Sequence, residues 1–192
     1  LLAPGAEVFT PYGATESLPV ANMRGSEVLA ETAALTRAGR GICVGRPLPE
    51  IQLKIIRISD APIPTWSPHL ELPDGEVGEI CVQGPVATRE YFRLPEATAA
   101  AKIQDGECFW HRIGDVGYRD ATGRIWFCGR KGHRVETPQG PLFSVCCEAI
   151  PNQHPRVFRS ALVGLGQPEG KIPAVSIEPK PGHYPKNRTE TA

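Results

Sequence analysis

The chain has 192 residues, 21 of them basic and 21 acidic, for a formal charge of zero. That balance argues against a dedicated nucleic-acid or anionic-membrane binder, which needs a basic excess. It leaves room for a nucleotide held by local dipoles and one or two side chains. Hydrophobic residues make up 41%, and Gly and Pro number 20 each. Apolar runs separate these breakers, so the pattern reads as many turns between short strands and not as disorder.

In chain order, residues 5–13 read as a strand over 6–10 that runs into a turn at 11–13. Residues 26–38 carry Val28, Leu29, Ala33 and Leu35 and fit a short helix or a structured loop. Ile51, Leu53 and Ile55 alternate with Gln52 and Lys54, the period of a half-buried strand. The phase slips at Ile55-Ile56 and resumes at Ile58, which predicts a bulge. Residues 62–73 hold Pro62, Pro64, Pro68 and Pro73 and read as a loop, followed by a strand over 77–82. Residues 95–102 read as a helix with Pro95 in its first turn. Three short strands follow at 109–111, 116–118 and 124–127, the last two joined by the turn Asp120-Ala121-Thr122-Gly123. Past Gly129-Arg130 the expectation is a strand-loop-strand over 134–143, a helix over 145–152, and strands at 158–165 and 172–177. A boundary at 130–132 divides the chain into 1–130, mostly antiparallel β, and 131–192, the start of a small α+β domain.

The six cysteines, Cys43, Cys81, Cys108, Cys128, Cys146 and Cys147, form no C-x-x-C pair, and the vicinal pair is poor metal-site spacing. Four lie in or beside strand-like segments, where a free thiol behaves as a small hydrophobe. Reduced thiols in a cytoplasmic protein are the preferred reading over a disulfide framework. No apolar run approaches the ~18 residues of a membrane span, and no signal peptide opens the chain. The sequon Asn187-Arg188-Thr189 therefore reads as chance. Leu1-Leu2-Ala3-Pro4 lacks an initiator Met, and the tail over 179–185 is loop-like, so a fragment of a longer protein is expected.

Three motifs carry chemistry. Tyr12-Gly13-Ala14-Thr15-Glu16 offers an aromatic face, a glycine for close backbone approach, a hydroxyl and a carboxylate. These are groups suited to an adenine, an α-phosphate and Mg²⁺; a capped, strand-ending turn is the competing reading. In Gly114-Asp115-Val116-Gly117-Tyr118 an acid after glycine can accept both hydroxyls of a ribose, or form an Asx-turn. Gly129-Arg130-Lys131 puts a guanidinium at a strand end, able to meet an anion, or to face solvent as a basic turn.

Taken in this order, the motifs resemble the acyl-adenylating superfamily of acyl- and aryl-CoA synthetases, nonribosomal-peptide adenylation domains and firefly-type luciferases. Tyr12 to Glu16 matches its aromatic-Gly-x-Thr-Glu motif. Gly45-Arg46-Pro47-Leu48-Pro49, Glu76-Val77-Gly78-Glu79-Ile80 with Gly84, Tyr91 and Pro95-Glu96-Ala97-Thr98 match the blocks between. His111-Arg112-Ile113-Gly114-Asp115 and Gly129-Arg130 match the later ones. The resemblance covers nearly all of residues 5–178. It implies a mixed α/β fold: a distorted antiparallel β-barrel subdomain of the large adenylation domain, then the beginning of a small mobile domain. It also implies roles. Tyr12 and Gly13 lie by the adenine, Thr15 bonds the α-phosphate, and Glu16 holds Mg²⁺. Asp115 takes the ribose hydroxyls, Arg130 reaches ribose or phosphate, and Lys131 and Gly132 form the hinge. The cofactors implied are ATP and Mg²⁺, and the product is an acyl-adenylate. The family's Ser/Thr/Gly-rich phosphate loop is not in this sequence. Its late catalytic lysine is also missing, since Lys180 and Lys186 lack the context. The chain by itself is expected to be inactive.

Departures cluster at the hinge. Gly132 replaces the usual Asp or Lys, Ile113 replaces Thr, and His133-Arg134-Val135-Glu136-Thr137-Pro138-Gln139-Gly140-Pro141 replaces the usual run. That region shapes the CoA step, so CoA transfer is in doubt. The pattern is similar to the β-lactone synthetase branch of bacterial long-chain olefin biosynthesis. This implies a long-chain 3-hydroxy acid as substrate, whose own hydroxyl displaces AMP without a CoA site, and the other olefin-pathway enzymes as partners. His133 is a candidate base for that hydroxyl, although a hinge-surface histidine is the plainer reading. A long-chain acyl-CoA synthetase is the near alternative, and a non-catalytic β-rich interaction module the distant one.

Overall fold

The computed structural model describes residues 3–166 and 171–184; Leu1-Leu2, Lys186 and the sequon lie outside them. A hairpin of β1 (Phe9–Ala14) and β2 (Ser17–Arg24) leads into a helical run, α1 (Gly25–Glu27), a π-helical stretch (Val28–Thr32) and α2 (Ala33–Arg37). Then come β3 (Ile42–Pro47), β4 (Gln52–Ile56), β5 (Gly78–Gln83), α3 (Pro95–Ala101), β6 (Lys102–Asp105), β7 (Cys108–Arg119) and β8 (Ile125–Arg130). These strands form one sheet in the order β1-β2-β3-β8-β7-β5-β4, with β6 on β7. Its named pairs are all antiparallel.

The sheet curls on itself. Val20 and Ala21 of β2 share a core with Leu53 and Ile55 of β4 and with Val44, Ile80, Val82, Ile113 and Ile125. Strands near opposite ends of the path thus meet in one interior, the geometry of a distorted barrel. Ile56, Cys81, Ile103 and Trp110 form a second core, covered by Ile63, Trp66 and Leu70 of the proline-rich loop. Successive strand residues face opposite ways, and here both faces are dry.

That explains a failed expectation. Ile55-Ile56 marks no bulge: β4 pairs β5 in unbroken register from Gln52↔Gln83 to Ile56↔Glu79. The alternation is lost because Ile55 and Ile56 enter different cores. The first strand is also displaced. Residues 11–13 continue β1 instead of turning, and the reversal falls at Thr15-Glu16. The two short strands around 109–118 are one twelve-residue strand, β7, because Gly114 absorbs its irregular backbone at φ +77.

The hairpin of β1 and β2 joins the sheet by a narrow seam, Ala21↔Pro47 and Asn22↔Arg46. Gly45 sits at that seam with φ +88, and a Cβ there would lie 1.8 Å from the Asn22 carbonyl oxygen. Beyond a 3₁₀ turn at Lys131–His133 stand β9 (Val135–Thr137) and β10 (Gly140–Leu142), α4 (Ser144–Glu148), and a separate pair, β11 (Val157–Leu165) with β12 (Ile172–Pro179).

Candidate active site

Gly13 allows the hairpin to close. A Cβ there would meet the Ser17 carbonyl oxygen at 2.3 Å, so the close approach seen at this glycine is to the returning strand. The register jumps between Tyr12 and Ala14, and the Thr15-Glu16 turn projects at the end of the ladder. Thr15 is exposed and Glu16 half-buried. The Tyr91 hydroxyl donates to Glu16 Oε1 at 2.8 Å, and the Thr88 amide donates to the Glu16 carbonyl at 2.8 Å. The Tyr91 donor holds the Glu16 carboxyl below its ordinary range. Burial, with Glu16 beside it, pushes the Tyr91 phenol up to about 12. Tyr91 is placed in turn by its own amide, which donates to Thr98 Oγ1 at 2.9 Å.

Opposite lies Asp115, in the middle of β7 and buried. It accepts from the Tyr12 hydroxyl at 2.7 Å and from Arg130 Nη1 at 2.6 Å. Asp115 and Arg130 face each other across the β7–β8 ladder, which sets their separation. Arg130 also donates to the Ile113 carbonyl at 3.2 Å. Its guanidinium lies over Gly114, where a Cβ would come within 3.2 Å of Nη2. Its side chain is 52% exposed, against 7% for Asp115, so Arg130 is the solvent-facing member of the pair. Burial, then the Asp115 charge, raise the Tyr12 phenol far above its ordinary value. The Tyr12 ring packs tilted on Phe127, with centroids 6.0 Å apart.

Gly13, Ala14, Thr15, Glu16, Tyr91, Arg112, Ile113, Gly114 and Arg130 line a cleft of about 530 Å³. Four of the residues singled out in the sequence, Gly13, Thr15, Glu16 and Arg130, therefore share one cleft. Tyr12 and Asp115 are tied to it through Arg130. His133 is exposed and is not in the lining. Lys131 turns away, its ammonium donating to the Ser59 carbonyl at 2.9 Å and pairing with Glu79 at 3.1 Å. Gly132 is exposed, with open space around its Cα.

Arg112 is the support beneath. It grips Glu79 with Nε at 3.1 Å and Nη2 at 2.7 Å. Its other N–H groups go to the carbonyls of Ala61, Ala100 and Ser59. All five guanidinium donors are thus used, which a buried arginine requires. His111, one residue before, is buried, and its Nε2 has no partner. Burial, and then Lys102, lower its pKa to about 4. Tyr91 and Arg112 received no role from the sequence; their partners lie 75 and 33 residues away, beyond any local pattern.

Among the described residues no group of three or more His, Cys, Asp or Glu could hold a metal. Glu16 keeps one carboxylate oxygen outside the Tyr91 bond. A lone carboxylate fits Mg²⁺ carried with substrate phosphates and not a metal in an all-protein cage. Asp115 retains lone pairs beyond the two in use, so it can accept further hydroxyl donors when Arg130 shifts. The arrangement is a polar cleft with the Glu16 carboxylate at one end and a buried carboxylate behind an exposed guanidinium at the other. No helix among the described residues is long and apolar enough to cross a membrane.

A family model described as AMP-binding enzyme matches residues 2–92. An olefin beta-lactone synthetase of Xanthomonas campestris pv. campestris is 50% identical over 187 residues, 95% of this chain and 34% of that protein. Phenylacetyl-CoA ligase epaB of Aspergillus niger is 33% identical over 172 residues, 89% and 28% of the two chains. Among solved structures, amide bond synthetase McbA from Marinactinospora thermotolerans superposes with a TM-score of 0.71 at 28% identity, covering 92% of this chain and 32% of that one. The chain spans about a third of the length of the curated relatives it matches. Residues 2–92 thus carry the match to the AMP-binding enzyme family, and the chain over most of its length is similar to one part of these longer synthetases and ligases.

Proposed function

We propose that this chain is part of an ATP-dependent enzyme that activates a long-chain 3-hydroxy acid as its acyl-adenylate and then closes it to a β-lactone. The observation that carries the adenylating half is the linkage of Tyr12, Asp115 and Arg130 beside the cleft of Thr15 and Glu16. Asp115 accepts the ribose hydroxyls as Arg130 swings outward to ribose or phosphate, while Tyr12 and Gly13 border the adenine. Thr15 donates to the α-phosphate. Mg²⁺ on Glu16 would supply neutralising charge to the phosphates. The substrate carboxylate attacks the α-phosphorus and pyrophosphate leaves; the protein contributes position and charge.

The 50% identity to a protein named olefin beta-lactone synthetase supports the second half. There the 3-hydroxyl oxygen attacks the acyl carbon, AMP leaves, and the hydroxyl proton passes to a base. His133 can serve as that base only after the segment beyond Arg130 turns about Lys131-Gly132, since it stands outside the cleft. The six free thiols suit a reducing cytoplasm, and the other enzymes of an olefin pathway are the natural partners.

The full-length protein with ATP, Mg²⁺ and a 2-alkyl-3-hydroxy acid, without CoA, is expected to yield AMP and β-lactone. Strict dependence on CoA would replace this reading with that of an acyl-CoA synthetase. Asp115→Ala removes a buried, charge-paired acceptor and should lower acid-dependent ATP–pyrophosphate exchange by about 100-fold or more.

A further inference from the structure

Cys128 lies on β8 and is 1% exposed. Cys146 lies on α4, beyond the Lys131–His133 turn, and is half-buried. The two elements are in tight contact: a Cβ on Gly129 would meet Ser144 Oγ at 2.6 Å. The Gly39–Gly41 stretch reaches both cysteines. A Cβ on Gly39 would come 3.0 Å from the Cys146 carbonyl, and one on Gly41 would come 3.3 Å from Cys128 Sγ. Both cysteines line the same cavity of about 520 Å³, with Arg40, Tyr118, Asp120 and Trp126 around it, whereas the neighbouring Cys147 does not line it.

We propose that Cys128 and Cys146 are a site of reversible disulfide formation that ties α4 to β8 across the turn at Lys131–His133. The thiols already act on each other. Hydrogen bonding from Cys128 lowers the pKa of Cys146, against the opposing effect of burial. The same pairing, then burial, push the Cys128 thiol up. Cys146 is the more acidic and the less buried thiol of the pair, and the cavity gives a small oxidant access to it.

With a peroxide as oxidant, the Cys146 thiolate attacks the O–O bond, giving a sulfenic acid and releasing an alcohol, or water from hydrogen peroxide. Cys128 sulfur then displaces the sulfenic oxygen as water and forms the S–S bond. The two thiols lose two electrons and two protons in total, and the peroxide is reduced. Rotation of α4 away from β8 is blocked while the bond lasts. The effect of that block on turnover rests on the adenylating reading above; the bond itself does not.

The test is peroxide treatment of the native full-length protein, followed by alkylation and peptide mass spectrometry. A Cys128–Cys146 cross-linked peptide, removed by dithiothreitol, is the expected product. Cys147→Ser retains it and Cys146→Ser abolishes it. A Cys146–Cys147 bridge, or Cys128 still free to alkylate after unfolding, overturns the proposal. Cys146 is half-buried, so its serine variant also serves if Cys128→Ser fails to fold. Oxidised wild type should lose turnover by at least about tenfold and recover on reduction, while Cys146→Ser resists the same treatment. A bridge that forms with turnover unchanged refutes the block on movement and leaves the adenylating reading standing.

Discussion

Up to Arg130 the chain buries apolar side chains from both faces of one curled sheet. Beyond it, among the described residues, only Val135, Val157 and Leu162 are comparably buried, and Phe158, Leu165, Ile172, Val175 and Ile177 of β11 and β12 lie at the surface. The first region sets its own geometry. The second is held to it by polar ties, Lys131 to Glu79 and Ser59 and Arg134 to Asp60, and by α4 against β8. Thr15, Glu16 and Asp115 thus stand on a rigid platform, and Arg130 stands at its edge. On the function proposed above, the first region would hold the nucleotide and the lightly attached second region would move between the two half-reactions.

The contrast can be broken most forcibly at Glu79. Glu79→Gln leaves Arg112 and Lys131 without their buried anion, and about 3–5 kcal/mol of stability should be lost in urea unfolding. A loss under about 1 kcal/mol would mean that the buried ties do not hold the platform. Ile80→Ala, at a fully buried position, should cost about 2–5 kcal/mol by the same measurement.

A third test uses pH. The pKa of His111 is lowered in the fold to about 4, from 6.5. Between those values the unfolded chain carries a proton that the folded chain does not, so stability falls as pH drops from 6.5 towards 4 and the loss is complete below that. The size is on the order of 2–3 kcal/mol. Unfolding curves at pH 7 and pH 5 should show the loss in wild type and a smaller one in His111→Leu. Equal losses would place the acid sensitivity elsewhere. The smallest effect belongs to the second region: Ile172→Ala, at a position 69% exposed, should change stability by less than about 0.5 kcal/mol. A cost near that of Ile80→Ala would erase the distinction between the regions.

Local signals made much of this legible. The turn at Asp120 to Gly123 and the helix opening at Pro95 stand where their turn residues and first-turn proline place them. Residues 17–24, where β2 lies, carry no assignment from sequence; Pro19 and Asn22 are residue types that disfavour strands. Pro19 is tolerated because it falls opposite the register jump at Gly13 and before the β2–β3 seam begins at Ala21, where no ladder N–H is needed. Gly114 falls in the gap between the expected strands 109–111 and 116–118, and the fold uses it as a bend within the single strand β7. At the site, motif order named Tyr12, Glu16, Asp115 and Arg130, but not the hydrogen bonds among them. Tyr91 on Glu16 and Arg112 on Glu79 are long-range polar contacts, and nothing near either residue in sequence announces its partner.

Gly45 has no chemistry to offer, yet the Tyr12–Glu16 hairpin meets Asp115 only because β2 closes flush on β3 over it. The hairpin is a cantilever, and Gly45 is its fulcrum. A methyl group at that point would be magnified along the arm, opening the distance between Tyr12 and Asp115 while every reactive group stayed in the chain. Alignment of the two halves of the pocket is thus governed by a hydrogen atom on the far side of the sheet's narrowest joint.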